Sequence, residues 1–153
     1  MKNPVEIKKL AYERLNEAKI LCDAGKYDGA FYLAGYSIEL MLKAKICERF
    51  DVDNLFDENV NKDGINKVRN AVKLHDVGLL LTFSGLRKKL DVEKATNRVL
   101  NTTITRLFDA ENKCLWDEKS RYQPIGSQNP DDVKELISLL LDEEGLIQWI
   151  QNN

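Results

Sequence analysis

The stretch "RNAVKLHDVGLLL", Arg69 to Leu81, contains the only histidine of the chain. Arg69 stands six positions before His75, with Asn70 beside it. A histidine can take and give a proton near neutral pH, and a guanidinium can stabilise a developing negative charge. Together they are suited to attack by a ribose 2′-OH on its own phosphodiester: His75 handles the protons and Arg69 steadies the phosphorane. Geometry resists this on one unbroken helix. Six residues turn through roughly 600°, which leaves the two side chains about 120° apart around the axis. They converge only if the helix breaks between them or if a second copy of the chain supplies one of them. The plainer reading makes His75 a packing or capping residue, with Asp76 in the first turn of a short helix, where the dipole favours an acid.

A second pair with chemical potential is Glu39 and Lys43. At a spacing of i, i+4, with the acid first, they form a favourable pair on a helix surface, worth a few tenths of a kcal/mol. If their helix is buried, a carboxylate among Tyr32, Tyr36 and Leu42 needs a stronger partner, and Arg121 or His75 are the candidates. A third group is Trp116, Arg121 and Tyr122. Arg121 could grip a phosphate bidentately while Tyr122 stacks on a base. Alternatively Trp116 and Tyr122 pack the core, and Arg121 pairs with Glu39 or Asp117. The run Arg87, Lys88, Lys89 reads as a solvated face.

The elements that position these residues are helical. Asn3 is a good cap and Pro4 suits the first helical position. Ile7, Leu10, Ala11, Leu15, Ala18, Leu21 and Cys22 then recur at helical steps until Gly25. "YDGAFYLAGYSIELMLKAKICERF" is apolar over most of its girth, as expected of a central helix or one buried in a dimer. Asp51 to Gly64 reads as an acidic loop. A short helix from Ile65 carries Arg69 towards His75, and "HDVGLLLTFSG" is another, stopped by Gly85. Residues 86–122 hold one long helix or two, with Leu100, Ile104, Leu107, Phe108, Leu115 and Trp116 in the helical period. Asn129-Pro130 starts the last helix, which Gly145 interrupts. No run alternates as a strand does. The expected architecture is all-α, an antiparallel up-and-down bundle of four to five helices.

The bulk properties restrict the function classes. The chain has 153 residues, expected to form a single domain over 1–153, and its net charge is −2. No overall field draws it to nucleic acid, so DNA is not expected as a partner and an RNA contact must be local. Cys22, Cys47 and Cys114 are scattered, an odd number without any zinc-site spacing. Neither a metal nor another cofactor is expected. "MKNPVEIKKLAYERLNEAK" is charged throughout, unlike a signal peptide, and no apolar run reaches the ~20 residues of a membrane span. The expected location is cytoplasmic.

These residues resemble a family. "AYERLNEAKILCDAGKYDGAFYLAGYSIELMLKAKI" is similar to the opening helical hairpin of HEPN domains (higher eukaryotes and prokaryotes nucleotide-binding), through Ala18, Leu21, Gly25, Tyr27, Ala30, Tyr32, Glu39, Leu42, Lys43 and Ala44. "HDVGLLLTFSGL" resembles a middle element through His75, Asp76, Val77 and Leu80. "LWDEKSRYQP" resembles a late one through Trp116, Arg121 and Tyr122. The resemblance runs in order from about Ala11 to Tyr122. It implies a helical homodimer that binds a nucleotide or RNA and belongs to a prokaryotic toxin–antitoxin, defence or stress system. Some members are metal-independent endoribonucleases with an Arg and a His four to six residues apart on a late helix. Others lack the pair, and bind nucleotides or partner a small nucleotidyltransferase. Arg69 and His75 have the nuclease spacing, but His75 aligns with the middle element, which sets this chain nearer the second group. An enzyme of this kind would use Arg69, or Arg121 in its place, with His75.

Overall fold

The computed structural model describes residues 3–153. They are helical, with no strand, and none of their helices is long and apolar enough to cross a membrane. Helix α1 (Pro4–Asp23) starts where its sequence dictates: Asn3 accepts a hydrogen bond from the Glu6 N–H at 2.9 Å, and Pro4 opens the first turn. It buries Ile7, Ala11, Leu15, Ala18 and Cys22, one stripe at three- and four-residue steps. The turn after it passes through Gly25 at φ +73°, a left-handed conformation that a side chain would resist.

Helix α2 (Tyr27–Phe50) returns antiparallel along α1 and is the centre of the structure. Every residue from Ser37 to Cys47 is buried. Neighbours cover it on all sides: α1, then α4 (Val77–Phe83), α7 (Pro130–Leu141), α8 (Leu146–Asn152) and a 3-10 helix at Glu118–Tyr122. The far end of the α1–α2 hairpin is closed by Glu48, whose carboxylate pairs with Lys8 of α1 and, at 2.8 Å, with Lys45 of α2. Partial burial pushes this carboxyl up, but the hydrogen bonds from Lys45 and Lys8 outweigh it and hold the group below its ordinary value of 4.5. A carboxyl depressed in the folded state adds stability above its unfolded pKa and loses it as pH falls through the folded one. Native protein and Glu48→Gln should therefore differ in urea midpoint at pH 7, and the difference should shrink as pH falls through the depressed folded value of Glu48.

The middle of the chain is more divided than the expected four or five helices. Helix α3 (Asp63–Val72) begins before Ile65 and ends three residues short of His75. Beyond α4 come α5 (Arg87–Glu93) and α6 (Arg98–Leu107). Leu115 and Trp116 do not continue α6, contrary to their periodicity. The Asp109 carboxylate accepts from the Glu111 and Lys113 N–H groups, both at 2.9 Å, and folds the chain back. Phe108 then bridges Cys114, and Leu115 N–H bonds Leu107 O at 2.8 Å. This reversal carries Trp116 back over α2. At the other end Asn129 caps α7, accepting from Asp131 and Asp132. The chain breaks after Leu141, and Gly145 caps α8.

Candidate functional site

Three segments distant in sequence meet over the middle of α2. The helix itself contributes Glu39 and Lys43, one turn apart. Their side chains are 1% and 6% exposed, and Lys43 Nζ lies 2.6 Å from Glu39 Oε1. The connection between α3 and α4 contributes His75. It is positioned by Asp76, which caps α4 by accepting from the Leu79 N–H at 2.9 Å. The 3-10 helix contributes Glu118, and its own start is fixed by a reciprocal cap between Asp117 and Ser120.

These placements hold the imidazole of His75 between two carboxylates. Nδ1 is 3.1 and 3.0 Å from the two oxygens of Glu39, and Nε2 is 3.0 Å from Glu118 Oε2. Both ring nitrogens can donate only when the ring is an imidazolium. On the inner side the ring is anchored to a buried ion pair. On the outer side, where its side chain is 45% exposed, it faces a cleft of about 450 Å³. Lys73, Lys113, Trp116, Glu118 and Lys119 line that cleft with it. Lys73 is paired with Glu58, whereas Lys113 and Lys119 have no ion-pair partner among the described residues. The two aspartates of the cleft wall each cap a helix start, Asp76 accepting from the Leu79 N–H at 2.9 Å and Asp117 from the Lys119 N–H at 2.8 Å. Three lysines, Lys73, Lys113 and Lys119, therefore share the cleft with Asp76, Asp117 and Glu118, and Glu118 is the carboxylate that reaches the His75 ring.

The chain matches no model of a known protein family, no curated protein and no solved structure. What the site can do must be read from its own geometry.

Arg69 and His75 are not brought together. The Arg69 guanidinium, 7% exposed, donates Nε–H to Leu55 O at 2.6 Å, Nη1–H to Asn66 Oδ1 at 3.0 Å and Nη2–H to Val60 O at 3.0 Å. It ties the acidic loop onto α3 with one hydrogen bond from each of its three nitrogens. A break between the two residues does occur, at Val72, but it turns Arg69 towards the loop and His75 towards α2. Arg121 stands apart as well. Its guanidinium lies 4.8 Å from the Tyr122 ring centre, both residues are exposed, and neither lines the cleft. The neighbouring Tyr122, opposed by slight desolvation and aided by Tyr32, raises the guanidinium further above its usual value. Arg121 makes no ion pair with Glu39, because Lys43 and His75 already hold that carboxylate.

Trp116 is 1% exposed, donates its indole N–H to Tyr32 O at 2.9 Å and lies against Gly35. It is a packing residue whose edge forms a wall of the cleft. Cys114 is also in that wall, but burial pushes its thiol up to about 11, so little thiolate is present near neutral pH. Nothing in the sequence marks Glu118, Lys113 or Lys119 as members of a site with His75. Glu118 stands 43 positions after His75, and no local spacing links the two.

Proposed function

We propose that this protein binds the phosphate of a nucleotide or RNA in the cleft over His75. The observation that carries the reading is the Glu39–Lys43–His75 cluster beneath a lysine-lined opening. Two ions buried in a central helix cost several kcal/mol each in desolvation, and apolar residues of the same size would serve stability as well or better. The cluster has a second effect: it fixes a ring that can carry positive charge at the floor of a cleft holding two unpaired ammonium groups. Such a site favours an anion with several acceptor oxygens.

The wider reading is a HEPN-like up-and-down bundle acting in the cytoplasm as a homodimeric component of a prokaryotic toxin–antitoxin, defence or stress system. It is supported by the order of the family-like segments. The first forms the α1–α2 hairpin, the second caps α4 with Asp76 beside His75, and the third seats Trp116 on α2. A nuclease reading keeps one supporting observation, the orientation of the imidazole by a buried carboxylate, and would need Glu118 as a second proton-handling group and a cleft lysine in place of Arg69 to steady the phosphorane.

The sole histidine makes the test simple, because its C2 ring proton gives a single NMR signal that belongs to one residue. Titration with 5′-AMP or a short single-stranded RNA should move that signal at micromolar to millimolar ligand. The paired substitution Lys113→Ala, Lys119→Ala should weaken binding about tenfold, as expected for loss of roughly 1.4 kcal/mol. An unmoved signal with both ligands would remove the phosphate reading. Shortening of the RNA in the presence of EDTA would favour the nuclease.

A further inference from the structure

We infer that the cleft selects a terminal phosphate monoester over the internal phosphodiesters of RNA, because Glu118 already occupies the anion seat of His75. This inference rests on the reading of the cleft as a phosphate site.

The Glu118 carboxylate oxygen lies 3.0 Å from His75 Nε2, in the position that a ligand oxygen must take to bond the ring. Glu118 is held on a short helix whose start is fixed by Asp117 and Ser120, so its carboxylate is tethered at the cleft mouth. A tethered group competes at an effective concentration of order millimolar. It carries a single negative charge, and so does an internal phosphodiester, which gains little by replacing it. A phosphomonoester carries about −1.5 to −2 at pH 7 and offers three acceptor oxygens. It can bond His75 and still present further oxygens to the lysines that line the same cleft, whereas the Glu118 carboxylate is directed at the ring. The Glu118 side chain is 43% exposed, so it can leave the ring for water without opening the core.

The monoester could belong to a free nucleotide or to the end of an RNA, and the test separates these sources. Native protein and Glu118→Gln are titrated with 5′-AMP, with a tetranucleotide RNA bearing a 5′-phosphate, and with the same RNA ending in a 5′-hydroxyl. For the native protein, at least one 5′-phosphate ligand should bind tenfold or more tightly than the 5′-hydroxyl RNA. A mononucleotide site favours AMP, and an RNA-end site favours the phosphorylated tetranucleotide. Glu118→Gln, which removes the competing charge and keeps the shape, should tighten 5′-phosphate binding several-fold with an unchanged thermal midpoint. Equal binding of both RNAs by the native protein, or weaker or unchanged binding by Glu118→Gln, overturns the inference and leaves the cleft reading in place. No binding of any ligand by either protein overturns both.

Discussion

Replacing Lys43 with methionine destabilises the protein by about 3–5 kcal/mol, and adding Glu39→Leu recovers most of that loss. The single substitution strands a carboxylate that is 1% exposed with His75 as its remaining partner, and breaking one side of a buried ion pair carries a cost of this size. The double substitution removes both desolvated charges and fills the same space with apolar atoms, a replacement that is often neutral or stabilising. Urea unfolding of the native, single and double variants measures the three values, provided the slopes agree. A double variant as unstable as the single would mean that the volume and shape of these side chains matter, and that their charges do not.

The same double variant separates folding from function. Leucine at position 39 leaves His75 Nδ1 without its anchor while the cleft lysines remain. A well-folded double variant that no longer responds to 5′-AMP would place the worth of the ion pair in orienting His75. One that binds as the native protein does would place it elsewhere.

How much of this could be read from the chain depends on how local each signal is. Asn3-Pro4 and Asn129-Pro130 are caps, determined by three or four adjacent residues, and both helices begin there. The burial of α2 is written in its nearly continuous apolar girth. From that burial follows the need of Glu39 for a further partner, and His75 is one of the two candidates the sequence offers. The remaining features are settled by distant contacts. Leu115 and Trp116 keep a helical period with Leu100 and Leu107, but the turn made by Asp109 intervenes, and the indole finds its acceptor at Tyr32, 84 residues away. Arg69 has a suggestive spacing to His75, yet a buried guanidinium goes where acceptors are dense, and the carbonyls of Leu55 and Val60 supply them. The partnership of Glu118 with His75 exists only because the reversed chain lays the 3-10 helix against α2.

The seat of Trp116 on α2 depends on one small residue, and Gly35→Ala should reveal it. A methyl group at position 35 would stand 2.3 Å from Cδ1 and Cγ of Trp116 and 2.4 Å from Cδ2. These are atoms of a rigid ring, 1% exposed and fixed by the 2.9 Å bond from its N–H to Tyr32 O, so the ring cannot swing aside without losing that bond. Overpacking of this kind costs about 1–3 kcal/mol, and a displacement of more than an ångström in a buried tryptophan belongs at the upper end. Alanine is also the better helix former by about 1 kcal/mol, which offsets part of the cost. The net expectation is a loss of about 2 kcal/mol in urea unfolding. On a Trp116→Leu background, where the smaller side chain leaves room, the steric cost falls away while the helix gain stays. There Gly35→Ala should be neutral or stabilising. That change of sign identifies the contact between position 35 and the ring as the cause, since a general intolerance of α2 to substitution would give the same loss in both backgrounds.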